Sequence, residues 1–192
     1  MQQIGLLATV NLSGTIGYDG KVPWYHPEDI KRKNELTKDS IVIIGRKTYE
    51  SSPISNMPNC IQHILTYQDL NSITENKKNA IWYNSFDTAL KETPDDKTIW
   101  ILGGGDIFRI ALLFYMPDFI DLTIVESLFI SNIKDSRQVT KEKTVKMPSI
   151  PYAYFVEHEI RNENDPMLTH RRYVLRKIKG HESSFINQIK HR

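Results

Sequence analysis

Thr98-Ile99-Trp100-Ile101-Leu102-Gly103-Gly104-Gly105-Asp106 is the stretch on which the fold turns. A short apolar run without alternation has the length and pattern of a strand buried on both faces, and the glycines after it free the backbone for a tight turn into a helix. A second stretch repeats the arrangement, with Ile41-Val42-Ile43-Ile44 running into Gly45-Arg46-Lys47-Thr48.

Working outward, apolar runs bounded by Gly, Pro, Asn and Ser recur at Ile4–Val10, Ile61–Thr66 and Ala80–Tyr83. Segments of helical character lie between the runs, at Pro27–Thr37, Thr48–Ser52, Ser85–Lys91 and Asp106–Tyr115. Such alternation predicts a largely parallel sheet with helices packed on it. The end of the chain changes style. Ile120–Glu126 reads as a further strand, and Tyr154–Ile160 and Thr169–Lys177 flank a polar turn holding Asn162, Asn164, Asp165 and Pro166, the pattern of an antiparallel hairpin. Ser131–Ser149 is charged and poor in apolar residues and reads as a surface loop. One domain is expected over residues 1–178, followed by a flexible tail, 179–192, in which Phe185, Ile186 and Ile189 could dock as a short helix.

Composition bounds the function. The chain has 192 residues, 40% hydrophobic and 25% charged, with a formal net charge of +2. That is room for one sizeable core, without the basic excess of a dedicated nucleic-acid binder. Cys60 is the only cysteine, which excludes an internal disulfide and a cysteine zinc site. The six histidines show no metal-ligand spacing, so no metal is expected. The opening MQQIGLLATV lacks a basic flank and a small-residue cleavage site, and no run approaches the roughly 18 apolar residues of a membrane span. A cytoplasmic protein without a membrane or nucleic-acid partner is expected, a monomer with a homodimer as the alternative.

In an open α/β sheet the ligand crevice lies outside the carboxyl ends of the strands, where helices present unpaired N–H groups and the positive end of their dipole. Both glycine sites stand at such ends. Without a Cβ the backbone can approach a diphosphate. Taken singly, three glycines after a strand read as a tight turn, and Arg46-Lys47 as solvated charge. Together, at equivalent ends of two strands, they favour a dinucleotide. Arg46 and Lys47 favour NADPH over NADH, because a 2′-phosphate wants guanidinium and ammonium partners. A third site follows the first strand, Ile16-Gly17-Tyr18-Asp19-Gly20-Lys21-Val22-Pro23-Trp24, a loop anchored by a stiff Pro-Trp pair. Just beyond, Pro27-Glu28-Asp29-Ile30 opens a helix. Acids are common in a first turn for dipole reasons alone. Glu28 and Asp29 cannot share a face, however, so one faces solvent while the other, beside Ile30, points into the crevice.

These residues together resemble the dihydrofolate reductase family. The motifs that carry the resemblance are Ile16-Gly17 followed by Val22-Pro23-Trp24, Asp29 in the next helix, Gly45-Arg46-Lys47-Thr48-Tyr49-Glu50-Ser51, Gly103-Gly104-Gly105-Asp106-Ile107-Phe108, and Thr123 in Leu122-Thr123-Ile124. Their order and spacing make the match specific over about residues 4–126. The resemblance implies an α/β fold with a single mixed, mostly parallel eight-stranded sheet, an antiparallel C-terminal hairpin and helices on both faces. It also implies NADPH-dependent reduction of 7,8-dihydrofolate, hydride to C6 and proton to N5, in one-carbon metabolism.

Residue by residue, Asp29 matches the pocket carboxylate that binds the pterin edge and promotes N5 protonation. Trp24 and Thr123 match the residues that hold an ordered water and orient that acid. The carbonyls of Leu7 and Leu102 match acceptors lining the pterin, with Ala8, Ile30 and Lys33 at the same end. Thr9 falls where the nicotinamide carboxamide is held. Gly103-Gly104 matches a strained cis peptide. Ile16, Gly17, Gly45, Arg46, Lys47, Thr48, Leu65, Thr66, Tyr67, Gly105, Asp106, Ile107 and Phe108 fall on cofactor positions.

The departures concern the substrate tail and one loop. The family's Pro-Gly-Arg, whose arginine grips the tail α-carboxylate, becomes Pro58-Asn59-Cys60, a loss of roughly 1.5–3 kcal/mol of charge-assisted pairing. Lys33 stands where the family has a phenylalanine. It lies on the helix side of Asp29 and Ile30, from which it could meet a carboxylate across the pocket or extend to solvent over its own stem. The family's Gly-Asp-x-x-Phe-Pro becomes Thr144-Val145-Lys146-Met147-Pro148, so the closure of the Pro-Trp loop is expected to differ. Two further readings stand beside the leading one. A same-fold NADPH reductase of another pterin or a pyrimidine is motivated by Cys60 and Lys33, and a nucleotide binder without catalysis would have no need of Asp29, Trp24 and Thr123 together.

Overall fold

Ile4 to Asn11 forms a strand whose neighbours on both sides run parallel to it, which explains why almost every residue in it is buried. The computed structural model describes residues 2–51, 57, 59–74, 78–127 and 143–176. In chain order the elements are β1 Ile4–Asn11, β2 Thr15–Tyr18, α1 Pro27–Leu36, β3 Ile41–Gly45, α2 Arg46–Ser51, β4 Ile61–Leu65, β5 Ala80–Tyr83, α3 Phe86–Lys91, β6 Ile99–Gly103, α4 Gly105–Ile110, β7 Phe119–Val125, β8 Thr144–Lys146, β9 Tyr154–Arg161 and β10 Leu168–Leu175. The main sheet has the order β5-β4-β3-β6-β1-β7-β10-β9. All pairings from β5 to β7 are parallel, and β10 runs antiparallel to both β7 and β9. The expected eight-stranded mixed sheet with an antiparallel terminal hairpin is the fold observed.

Alternation along the strands divides the core. Leu6, Ala8 and Val10 of β1 join Ile43, Ile101, Phe86, Leu90 and Phe108 on the face covered by α3 and α4. Leu7 joins Val42, Ile44, Trp100, Leu102, Tyr49 and Cys60 on the opposite face, with Leu36 of α1 packed against them. Helices therefore cover both faces, as expected. Gly5 leaves room for two rings: a Cβ there would come within 2.4 Å of Phe119 and 2.8 Å of Trp100.

Three local expectations change. Thr15–Tyr18, expected within a loop, is a strand, and it pairs antiparallel with Thr144–Lys146 from within the stretch Ser131–Ser149, whose charge predicts a surface loop. Each strand is too short and too polar to announce itself, and only the long-range pairing makes either one a strand. The Asp106–Tyr115 helix is α-helical only to Ile110, after which Ala111–Tyr115 forms a π turn closed by Met116 at φ 45°. The Thr48–Ser52 helix begins earlier, at Arg46. Ser52, Pro58, residues 131–142, Lys177 and the tail 179–192 lie outside the described residues.

Gly5→Ala is expected to cost about 1–3 kcal/mol, because two packed rings must move. Thermal melting should record a fall of about 2–4 °C per kcal/mol, and an unchanged melting temperature would contradict the packing described.

Candidate active site at the carboxyl ends of the strands

The carboxyl ends of β1, β3, β6 and β7 open into one cleft of about 1600 Å³, larger than a pocket for a single small ligand. It runs under the first turns of α1, past α2, to the start of α4. The candidate substrate residues Leu7, Ala8, Asp29, Ile30, Lys33, Leu102 and Thr123 all line it, as does Trp24. So do all the candidate cofactor residues except Gly103. Gly103, at φ 94°, instead lies against the Phe108 ring, where a Cβ would approach to 2.7 Å. The Gly103–Gly104 peptide is cis, as the resemblance implied.

At one end stands Asp29. It lines the cleft and its neighbour Glu28 does not, which settles which of the two acids points inward. Its carboxylate accepts from Thr9 Oγ1, at 3.0 Å to Oδ1 and 2.8 Å to Oδ2. Thr9, expected at the cofactor's carboxamide, is thus bonded to the acid. Thr123, expected to orient that acid, has its Oγ1 3.2 Å from His170 Nδ1. Trp24 Nε1 is buried with no acceptor among the described residues. A buried indole N–H at the wall of a cleft calls for an acceptor supplied from outside the chain.

Lys33 lies on the same side of α1 and lines the cleft. Burial pushes its pKa down, while the nearby Asp29 carboxylate pulls it up. Lys33 is half-buried where it lines the cleft. Cys60 is only 6% exposed, packs with Met57 and Ile64, and does not line the cleft. Burial pushes its thiol up to about 11, partly offset by Lys33.

At the other end the glycines form a cradle. A Cβ on Gly104 would meet Thr48 Oγ1 at 2.9 Å, and one on Gly105 would meet Val145 Cγ1 at 2.9 Å. Gly104 caps α4 with no side-chain hydrogen bond, which leaves the first-turn N–H groups open to the cleft. Arg46 is held by Glu50 through bonds of 2.9 and 2.7 Å, while Lys47 and Tyr67 are exposed. These groups fit an anionic dinucleotide lying across the strand ends. The β2–β8 pair covers this end. It is latched by Lys146, whose Nζ donates to Ser13 O at 2.7 Å, Ser13 Oγ at 3.1 Å and Thr15 Oγ1 at 3.0 Å.

Two groups near the acid were not anticipated. Arg32 lines the cleft and bonds Asp121 Oδ1 at 2.5 Å, while Arg172 bonds Asp121 Oδ2 through Nη2 at 2.5 Å and Nε at 3.0 Å. Asp121 is 1% exposed. A carboxylate inside the apolar strand Phe119–Val125 was the available signal, since such a group needs a partner. The second group is His170, whose Nε2 lies 3.0 Å from Asn162 Nδ2. Desolvation, and then Arg32, lower its pKa, against weaker raising effects of Asp29 and Asp121.

Asp121→Asn would leave Arg32 and Arg172 facing each other without a counter-charge. Breaking a buried pair costs about 3–5 kcal/mol, and the low end is expected because the two arginine side chains remain 22% and 29% exposed. Urea unfolding tests this, and a midpoint equal to that of the parent protein would show that the clasp contributes nothing.

Comparison with known proteins agrees with this geometry. The family model described as dihydrofolate reductase matches residues 3–165. The dihydrofolate reductase of Buchnera aphidicola subsp. Acyrthosiphon pisum is 28% identical over 161 residues, covering 80% of this chain and 96% of that protein. That of Buchnera aphidicola subsp. Schizaphis graminum is 35% identical over 115 residues, covering 59% of this chain and 66% of the relative. Among solved structures, dihydrofolate reductase from Enterococcus faecalis, complexed with NADP(H) and RAB-propyl, superposes with a TM-score of 0.70 at 19% identity, covering 91% of this chain and 97% of that one. With a family model spanning most of its length and the fold to match, the chain belongs to the dihydrofolate reductase family.

Proposed function

We propose that this chain reduces 7,8-dihydrofolate to 5,6,7,8-tetrahydrofolate with NADPH. The observation that carries the reading is Asp29: a carboxylate in a largely apolar cleft, held by one hydroxyl and facing a glycine cradle in the same cavity. When bound, NADPH supplies the hydride. Arg46, Lys47 and Thr48 would hold its phosphates and ribose from α2, with Thr66 and Tyr67 beside them, and the open N–H groups at Gly104 and Gly105 would face the diphosphate.

The chain's own residues do the rest. Asp29 accepts N–H bonds from the 2-amino and N3 edge of the pterin and favours the protonated N5 that hydride addition at C6 requires. Trp24 donates its indole N–H to the water that carries this proton, and the carbonyls of Leu7 and Leu102 receive the remaining pterin donors. The β2–β8 cover, latched by Lys146, shields the glycine-cradle end of the cleft from bulk water. Lys33 meets the carboxylate of the substrate's tail from the helix wall. Cys60 cannot serve as that anchor, since it is a buried neutral thiol away from the cleft. The same absence of an anchoring cation at position 60 favours, as a second reading, a reductase of the same fold acting on a pterin without the glutamyl tail. Among the described residues no helix is long and apolar enough to cross a membrane, and a cytoplasmic monomer is the state proposed.

Asp29→Asn should lower dihydrofolate reduction by about a hundredfold or more, followed by NADPH oxidation. Full activity in that variant would overturn the mechanism.

Lys33→Ala should weaken folate binding by about tenfold while leaving a pterin without the glutamate unaffected. The lysine carries its charge only below its pKa, so the preference for the tailed ligand should fade as pH rises through the lowered Lys33 value. An equal effect on both ligands would remove Lys33 from tail recognition and leave the second reading.

A further inference from the structure

The strand registers set three polar side chains in a row: Thr9 of β1 is opposite Thr123 of β7, and Thr123 is opposite His170 of β10. Directly opposed residues project from the same face of a sheet, here the face beneath α1. Thr9 gives its hydroxyl proton to Asp29. At the other end of the row the direction of each bond follows from the network. Asn162 Oδ1 accepts from the backbone N–H of Asn164 and of Asp165, both at 2.9 Å. That orients its amide, so the atom 3.0 Å from His170 Nε2 is a nitrogen. An amide nitrogen only donates, and Nε2 must therefore be bare. The neutral ring then carries its proton on Nδ1 and donates it to Thr123 Oγ1 at 3.2 Å. Thr123, having accepted that bond, keeps its own hydroxyl proton to donate, and it lines the cleft with Asp29.

We propose that Asn162 and His170 are positioning residues for the reaction, holding the imidazole in its Nδ1–H form so that Thr123 is fixed as a hydrogen-bond donor toward the acid end of the cleft. This rests on the reading of the cleft as the site of dihydrofolate reduction. The charges facing His170 are Asp29 and Arg32 from α1 and Asp121 from β7. Arg172, on its own strand, is committed to Asp121. Charging the ring would set an Nε2–H against the Asn162 N–H group, and the amide cannot turn over without losing both backbone bonds. The network is built for the neutral ring, and burial and Arg32 depress the His170 pKa in the same sense.

Nitrogen-edited NMR of the imidazole tests the tautomer directly in the full chain. The expected result is a proton on Nδ1 in the parent protein. In Asn162→Asp, one carboxylate oxygen keeps the backbone bonds and the other faces Nε2, so the proton should move to Nε2. The Thr123 hydroxyl then turns to the bare Nδ1, and single-turnover hydride transfer to dihydrofolate should fall about fivefold, the scale of one neutral hydrogen bond. The dissociation constant for NADPH should stay the same. His170→Asn places an amide nitrogen where Nδ1 stood and should recover the rate to within about twofold, whereas His170→Leu should not. If Asn162→Asp fails to fold, the two His170 variants still decide. An Nε2–H ring in the parent protein, or equal rates for His170→Asn and His170→Leu, would overturn the proposal. Absence of dihydrofolate turnover by the parent protein would instead overturn the reading of the reaction, and the spectrum would still report whether the bond chain exists.

Discussion

The helix that carries the acid is fixed chiefly by directional bonds, since none of its ten residues is fully buried. Leu36 contributes partial packing near its end. The rest is polar: His26 meets Asp165 at 2.7 Å beside the first turn, Asp29 takes the Thr9 hydroxyl, and Arg32 joins Arg172 on Asp121. Buried ion pairs add little net stability because desolvation offsets their attraction, but removing one partner is costly. Such a clasp therefore sets where the helix sits more than how stable the domain is. If α1 slid along the sheet, Asp121 would lose a guanidinium and Asp29 would leave Thr9 together. The position of the acid and the seating of the helix are one constraint.

The same constraint explains what was legible in the sequence. Strands buried on both faces must be apolar throughout, so β1, β3 and β6 stand out as unbroken runs, and the glycine turns after β3 and β6 mark where the cleft opens. Asp29 could be found because two adjacent helical acids cannot share a face and the family resemblance places a carboxylate at the start of that helix. β2 and β8 could not, because the partner that makes Thr15–Tyr18 a strand lies more than a hundred residues away. The π turn at Ala111–Tyr115 keeps a helical pattern of apolar residues, so nothing local separates it from an α-helix. Arg32 looks like any solvated helix charge until Asp121 is seen opposite it. His170 sits in the polar run Thr169-His170-Arg171-Arg172, and its role depends on an amide from the turn of the same hairpin.

The two ends of the cleft solve opposite electrostatic problems. At the α4 end the groups that would face an anion are backbone N–H groups and the cations Arg46 and Lys47, with Arg46 held in place by Glu50 on the next turn of its helix. A pair one turn apart at the surface is weak, so the guanidinium can exchange that carboxylate for a phosphate at small cost. The acid end has less solvent to draw on and balances its charge internally. Asp29 and Lys33 stand a turn apart on one helix, and the Arg32–Asp121–Arg172 cluster lies beneath them.

That balance gives Lys33 a meaning that its position alone does not. An amine drawn into a cleft loses hydration, which lowers its pKa, and it stays charged only while a nearby anion compensates. Here Asp29 compensates, whereas Cys60, a thiol pushed up to about 11, is neutral near pH 7 and contributes no anion. If Asp29 engages the pterin edge as proposed, its charge is shared with new donors and supports Lys33 less. A carboxylate arriving at the far end of the same ligand restores the missing anion. On the proposed reading the tail and the pterin would be coupled through one helical turn, and a ligand that brings both groups would leave neither Asp29 nor Lys33 uncompensated.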